Sequence, residues 1–410
     1  MRSNDLLRTL YVFVVKLVGY LAYKMSCAVP RNKKKWLLGD VMGFSGNTKY
    51  YLPELLEKNK EFGYDIIWIT HDRELMPSIS RMGVKVHYWL TLKAIYHCLT
   101  AGVYLVTDCT KDINPYLSGK ACYVTLWHGV GLKGEGRLSK KYQSVPEQKR
   151  DNFYHKVLFF YWIHRKPDLC LTTSDFQMRN FFMPMFDLPE EHFLLGMYPR
   201  NKMFFQPREK IKSFVRNYYP EEQLAFMDAL DAFGKKYIYM PTWRVDGRDF
   251  IKHSGIDFDR LNEVLAARNS LLILKFHSKT KLDVRALEKC TNIILMDKKL
   301  DVYPILPFTD CLITDYSSIY SDYLLLDKGI IIFDFDKDEY ISKDRDLLFD
   351  FDEYTPAARA HDFNELLNLI EGGADCRLDS EARRKVMDIY WGARDNPLDI
   401  FEEIRKLARA

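Results

Sequence analysis

Short, nearly continuous apolar runs alternate with amphipathic stretches along most of the chain. KWLLGDV (35–41), YDIIWIT (64–70), VKVHYW (84–89), VYLVTD (103–108), CYVTLWHG (122–129) and DLCLTTS (168–174) read as strands, and NTKYYLPELLEKNK (47–60) as a helix. Strands without polar alternation are covered on both faces, so the pattern predicts a parallel sheet between helices. After a polar, helical stretch at 206–235 the alternation resumes. It gives KYIYMPTW (236–243), a helix over 257–269, LLILKFHS (271–278), NIILMD (292–297), CLITDYSS (311–318), a helix to Leu326, and GIIIFDF (329–335). Residues 379–410 read as one charged, amphipathic helix. The expectation is an α/β protein of two Rossmann-like domains, 35–205 and 236–378, joined by the 206–235 linker and facing a cleft.

The first 34 residues break this rhythm. DLLRTLYVFVVKLVGYLAYKM (5–25) approaches the roughly 20 residues of a membrane span, but Arg8 and Lys16 interrupt it. At about 100° per residue, Asp5, Thr9, Lys16, Gly19, Tyr20, Tyr23 and Lys24 fall on one arc. Leu7, Leu10, Val14, Val15, Leu17, Val18, Leu21 and Met25 fall on the other. This predicts an amphipathic membrane helix lying in the interface, its cations at the headgroups and the basic run 31–35 adding attraction to anionic lipid. A spanning anchor and an ordinary packing helix are the alternatives.

Composition narrows the picture. With 410 residues, 47% hydrophobic and 28% charged, the chain is globular, and a net charge of +4 gives no field for nucleic acid. The eight cysteines form no C-x-x-C or zinc spacing and read as buried free thiols of a reducing compartment.

Function in open α/β sheets gathers where strands end. One such end carries Trp127-His128-Gly129-Val130-Gly131-Leu132, where a histidine beside glycines suits proton transfer. A second carries Lys275-Phe276-His277. A third, Thr314-Asp315-Tyr316-Ser317-Ser318, opens a helix whose start could hold phosphate, unless Ser317 merely caps it. Asp322 lies one turn beyond Ser318. His87, His97 and His155 read as structural, and the acidic run Asp334, Asp336, Asp338, Glu339 as a solvated loop. No Walker loop or G-x-G-x-x-G is present, and no dense acidic cluster suggests a metal.

Taken together, LLGDVMGFSGNTKYYLPELL (37–56), TLWHGVGLKGEG (125–136), TTSDFQMRNFF (172–182), LLGMYPRNKMFF (194–205), YIYMPTWR (237–244), LLILKFHSK (271–279), DVYPILPFTDCLITDYSSIYSDYLLLDKGIIIFDFD (301–336) and LLFDFDEYTPAARAHDFNELL (347–367) resemble the CDP-glycerol glycerophosphotransferase family of teichoic-acid and capsule synthesis. The resemblance runs from about residue 35 to about 395. It implies a GT-B-like fold, with 35–205 on the acceptor side and 236–378 on the nucleotide-donor side, and no metal or other cofactor. It implies transfer of glycerol phosphate from CDP-glycerol to a hydroxyl of a lipid-linked or glycan acceptor, at the cytoplasmic face of the cell membrane. His128 and His277 correspond to the family's two essential histidines. The donor site would comprise His128, Gly129, Val130, Gly131, Leu132, Arg200, Pro241, Thr242, Lys275, Phe276, His277, Ser317, Ser318 and Asp322. The family usually has Trp-His-Gly-Thr-Pro where this chain has Val130-Gly131, and His-Pro where it has His277-Ser278. Both departures touch donor or acceptor preference. His128 as base and His277 as leaving-group stabiliser is the favoured order. CDP-ribitol or another CDP-polyol as donor, and nucleotide-sugar glycosyl transfer on the same fold, are the rival readings. A non-enzymatic membrane scaffold is disfavoured by the intact His128, Arg200, His277, Ser317, Ser318 and Asp322.

Overall fold

The computed structural model describes residues 3–150, 152–244, 250–277, 280, 284–343, 347–372 and 381–409. The chain forms two compact units. The first comprises Met1–His128, Glu135–Arg200 and Gly392–Ala410, the second Gly129–Gly134 and Asn201–Trp391.

The first unit is built on β1 (Asn32–Gly39), β2 (Asp65–Thr70), β3 (Lys85–Tyr88), β4 (Ala101–Val106), β5 (Cys122–Thr125), β6 (Leu169–Thr172) and β7 (Phe193–Leu195). They form one seven-stranded sheet in the order β3-β2-β1-β4-β5-β6-β7, every pair parallel. Leu37 pairs with Ile67 on one side and Tyr104 on the other, and both faces are buried, which is why these strands read as unbroken apolar runs. The strand order reverses between β1 and β4. In open α/β sheets, ligands bind beyond the strand ends at such a reversal.

The second unit repeats the plan with β8 (Lys235–Tyr239), β9 (Ser270–Leu274), β10 (Ile293–Leu295), β11 (Cys311–Thr314), β12 (Gly329–Phe333) and β13 (Ala358–Ala360). Its six-stranded parallel sheet runs β10-β9-β8-β11-β12-β13, so its reversal lies between β8 and β11. Tyr237, Leu272, Ile313 and Ile331 meet Leu261, Leu265, Leu366 and Ile370 of two covering helices to form the core. The strand β13, Ala-Arg-Ala, has no apolar run to announce it.

Three boundaries differ from the sequence reading. The stretch 206–235 is no free linker. Its helices Arg208–Tyr218 and Glu221–Ala229 bury Ile211, Val215 and Met227, and Gln223 exchanges hydrogen bonds with the backbone of Asp301 (2.9 and 2.8 Å). The 379–410 segment is two helices rather than one. Glu381–Trp391 joins the second unit, where Trp391 Nε1 donates to the Ser321 carbonyl at 2.7 Å. Ile400–Arg409 returns to the first, its Phe401 packed among Trp36, Phe62 and Tyr64. The two ends of the basic run 31–35 turn into the protein. Arg31 donates to the carbonyls of Cys98, Ser26 and Leu117, Lys35 is buried, and only Lys33 and Lys34 of its cations are exposed.

The amino-terminal segment is one helix, α1 (Ser3–Ser26). The middle of its polar arc, Lys16, Gly19, Tyr20 and Tyr23, faces the protein, contrary to the expected headgroup placement, while Thr9 and Lys24 are exposed. Lys16 Nζ donates to Tyr161 Oη at 2.8 Å and sits over that ring, while Tyr20 and Tyr23 pack on Phe160. Gly19 lets α1 approach closely, because an ideal Cβ there would lie 2.4 Å from the Tyr116 ring. The apolar arc is turned outward, with Leu7, Leu10, Val14, Val15, Val18, Leu21 and Met25 exposed. No helix among the described residues is long and apolar enough to cross a membrane. Of the cysteines, Cys27, Cys98, Cys109, Cys122, Cys170, Cys290 and Cys311 are free thiols, and Cys376 lies outside the described residues.

Candidate functional site

In the first unit the ends of β1, β4 and β5 come side by side, as the strand order dictates. Past β5, Trp127 adopts a left-handed backbone (φ 54°), a strained conformation for an aromatic residue, and Gly129 follows at φ 150°. This turn lifts His128 out of the sheet, leaving 43% of its side chain exposed. The Trp127 ring lies 4.4 Å from the imidazole, centroid to centroid, and meets Phe182 and Phe186 edge-on. Each ring nitrogen faces a carboxylate at ion-pair distance: Asp108 is 3.9 Å from Nδ1 and Glu135 3.7 Å from Nε2. Burial pulls the imidazole pKa down and Arg200 adds to that pull. The contact and charge of Glu135, with the charge of Asp108, outweigh both and leave it above the ordinary 6.5.

The surrounding frame is made of side chains gripping backbone. Asp112 accepts from the N–H groups of Val41, Thr107 and Asp108, knitting the ends of β1 and β4 together. Asp40 accepts from Met42 and Gly46. Gly46 must be glycine, since a Cβ would sit 2.4 Å from Thr107 Oγ1 and 2.5 Å from Asp40 Oδ2. Burial raises the pKa of Asp40, Asp108 and Asp112. Asn47, at the start of the helix α2 (Asn47–Phe62), is fully buried. It donates to the carbonyls of Leu126 (3.2 Å) and Trp127 (2.6 Å) and accepts from the Arg200 N–H (3.1 Å). Arg200 is itself buried, and its charge reaches His128.

Gly129, Val130, Gly131 and Leu132 fall in the second unit, where the Leu132 carbonyl accepts from Leu348 N–H at 3.1 Å and Lys133 bridges Leu347. Pro241 and Thr242 follow β8, and Thr242 N–H donates to Asp315 Oδ1 at 2.7 Å. The next residues of that turn matter more than the sequence reading allowed. Arg244, with no exposed surface, forms a two-pronged pair with Asp336 (2.8 Å each), contacts Asp315 at 2.9 Å and donates to the Thr242 carbonyl. It thereby bolts together the loops after β8, β11 and β12. Trp243 stacks 6.0 Å from the exposed imidazole of His277, and Ser278 lies outside the described residues.

Several proposed donor contacts are occupied differently from expectation. Lys275 donates to the carbonyls of Asp297 and Leu300, and burial lowers its pKa. The Phe276 ring is in the core against Tyr239. Asp322 is buried, accepting from Asn201 at 3.2 Å and Tyr303 Oη at 2.7 Å, so it braces the fold beneath the serines. Ser317 Oγ accepts from Ile319 N–H at 3.4 Å, whereas Ser318 is exposed and makes no capping bond with its side chain. The acidic run after β12 is no solvated loop. Asp334 is buried between Arg359 (3.1 Å) and His361 (2.8 Å), and Asp336 holds Arg244. His155 is buried beside His164, and His87 stacks on His97, as structural histidines do. No group of metal-ligating side chains is assembled among the described residues. The sequence reading missed Asn47, Asp40, Asp108, Glu135, Arg244 and Asp336. The available signal was position, since Asp40 and Asp108 lie one and two residues beyond the two strands that flank the reversal.

Known proteins resemble the chain over most of its length. It is 25% identical to a teichoic acid poly(ribitol-phosphate) polymerase of Bacillus spizizenii, over 86% of this chain and 53% of that protein. It is also 25% identical to a teichoic acid poly(glycerol phosphate) polymerase of the same organism, over 87% and 86% respectively. The chain thus spans about half the length of the first relative. A solved wall teichoic acid polymerase TagF shares the fold at TM-score 0.71 and 18% identity, covering 100% of this chain and 98% of that one. A TagF structure soaked with CDPG matches at TM-score 0.67 with the same identity and the same coverage. Residues 21–396 match the family model described as CDP-Glycerol:Poly(glycerophosphate) glycerophosphotransferase, and the chain belongs to that family.

Proposed function

We propose that this protein transfers glycerol phosphate from CDP-glycerol to a hydroxyl group of a lipid-linked or glycan acceptor in teichoic-acid-like, capsule or surface-glycan synthesis, releasing CMP. The observation that carries the reading is His128, raised on a strained turn, with a carboxylate at each ring nitrogen and the charge of Arg200 beside it. Neutral His128 takes the proton of the acceptor hydroxyl as that oxygen attacks the β-phosphorus. The bond from the β-phosphorus to the bridging oxygen breaks, and CMP departs with the electron pair. Arg200 and the Ser317–Ser318 turn are read as stabilising the charge on the pyrophosphate, and His277 as protonating or hydrogen-bonding the leaving group. No step needs a metal ion in this reading. The likeness to a CDPG-soaked TagF supports the donor class. The likeness to a ribitol-phosphate polymerase supports a second reading, in which the polyol is ribitol.

The same reading puts the protein peripherally on the cytoplasmic face of the membrane. The outward apolar arc of α1 supplies the contact, and exposed Phe153 and Tyr154 beside it extend the surface. Purified protein incubated with a lipid-linked acceptor and either CDP-glycerol or CDP-ribitol tests the function. CMP release with CDP-glycerol, unchanged by EDTA, is expected. Release with CDP-ribitol alone would transfer the assignment to ribitol, and inhibition by EDTA reversed by magnesium would overturn the metal-free route.

A further inference from the structure

We infer that Asn47 is a positioning residue for the reaction, a single buried amide that sets His128 and Arg200 in register with each other. The inference rests on the roles given above to those two residues. Three observations support it. The Asn47 side chain has no exposed surface, and its amide makes three hydrogen bonds, all to backbone groups. Two of them hold Leu126 and Trp127, the residues immediately before His128, and the third holds the N–H of Arg200 itself. The Trp127 backbone is also in a conformation that a tryptophan keeps only when its surroundings over-determine it, and the 2.6 Å bond from Asn47 is a direct restraint on its carbonyl. Without that restraint the turn relaxes toward ordinary backbone, and the imidazole swings away from Asp108 and Glu135. Arg200, freed at its N–H, no longer keeps a fixed distance from the ring.

Only an asparagine or a close equivalent bridges both loops, because the role needs a donor for the carbonyls and an acceptor for the amide within one short side chain. Thr48, the next residue, provides the control. Its hydroxyl is also buried, but it bonds Thr107 Oγ1 (2.9 Å) and the Gly39 carbonyl (3.3 Å) instead of the backbone around His128 and Arg200.

The test compares Asn47→Ala, Asn47→Ser and Thr48→Val in the full chain. Serine stays polar but is too short to join the two loops. Turnover with CDP-glycerol and the NMR titration of the His128 ring, assigned by its disappearance in His128→Ala, are read together. The groups facing that ring are Asp108, Glu135 and Arg200. Both Asn47 variants are expected to lose about 100-fold in kcat/KM, the cost of misplacing a catalytic group by about 1 Å. The His128 midpoint should fall as the two carboxylates are left behind. Thr48→Val should lower the melting temperature and move neither quantity. A folded Asn47 variant with wild-type turnover and an unmoved His128 midpoint would overturn the inference. Full activity in His128→Ala would instead overturn the proposed function, while the titration still reports on the clamp.

Discussion

The two units end their sheets in opposite electrostatic styles. Beyond β1, β4 and β5, acidic side chains are held by backbone N–H groups, burial raises their pKa values, and the exposed His128 sits with a pKa above its ordinary value. Beyond β8, β11 and β12, the ionic groups are paired and closed. Arg244 saturates Asp315 and Asp336 under the stacked rings of Tyr316 and Tyr340, which lie 3.9 Å apart. A group that must gain and lose a proton cannot belong to a saturated pair, since the partner charge pins its ionisation. A surface that receives a charged ligand gains from a frame that does not move. On the proposed function, this contrast fits proton transfer in the first unit and donor binding in the second, where His277 stacks on Trp243.

The strongest way to break this contrast is to remove the titrating groups. His128→Ala should reduce CMP release by about 10²–10⁴-fold, the usual contribution of general acid–base catalysis, with unchanged circular dichroism. His277→Ala should match it. Near-wild-type turnover in either variant would take that histidine out of the chemistry.

Arg244→Met should act on stability before activity. It leaves Asp315 and Asp336 buried without their cation, a loss of about 3–5 kcal/mol by denaturant unfolding. A loss under about 1 kcal/mol would mean that the frame does not depend on the pair.

Glu135→Gln sharpens the contrast through pH. Glu135 helps hold the His128 pKa above 6.5, so removing its charge lowers that pKa. A base active when neutral then gains activity at lower pH, and the acid limb of kcat/KM should move toward acid. The linked stability has the same sign. The contact stabilises the fold fully below the unfolded value of 6.5 and loses this effect as pH rises through the raised folded value. In the variant that acid-side stabilisation should shrink. An acid limb that stays in place would detach Glu135 from His128.

The smallest effect on folding is expected on α1. Leu10→Gln with Val14→Gln and Val18→Gln changes exposed positions and should alter stability by about 0.5 kcal/mol or less at each site. Binding to vesicles rich in anionic lipid should nevertheless fall sharply. Undiminished binding would locate the membrane contact elsewhere.

Much of this architecture was legible in one dimension. Strands buried on both faces must be apolar throughout, so β1, β4, β9 and β12 announce themselves within a few residues, and so does the alternation that builds two parallel sheets. That the amino-terminal segment forms one helix was equally readable, because helical period is a local property, and so were His128 and His277 as residues at strand ends. Which arc of α1 would face the protein was not, since that depended on Tyr161 and Phe160, far along the chain.

The remaining features came from pairings between residues distant in sequence. Arg244 and Asp336 are 92 residues apart, and Asn47 and Arg200 are separated by 153. Asp334 and Asp336 look solvated until Arg359 and Arg244 are brought alongside, and 206–235 looks like a linker until Gln223 finds Asp301. Sequence determined where apolar surface had to be buried, because burial follows from residue type and local period. Only the tertiary structure decided which buried polar groups meet, because a hydrogen bond or ion pair depends on positions of a few tenths of an ångström that no local pattern encodes.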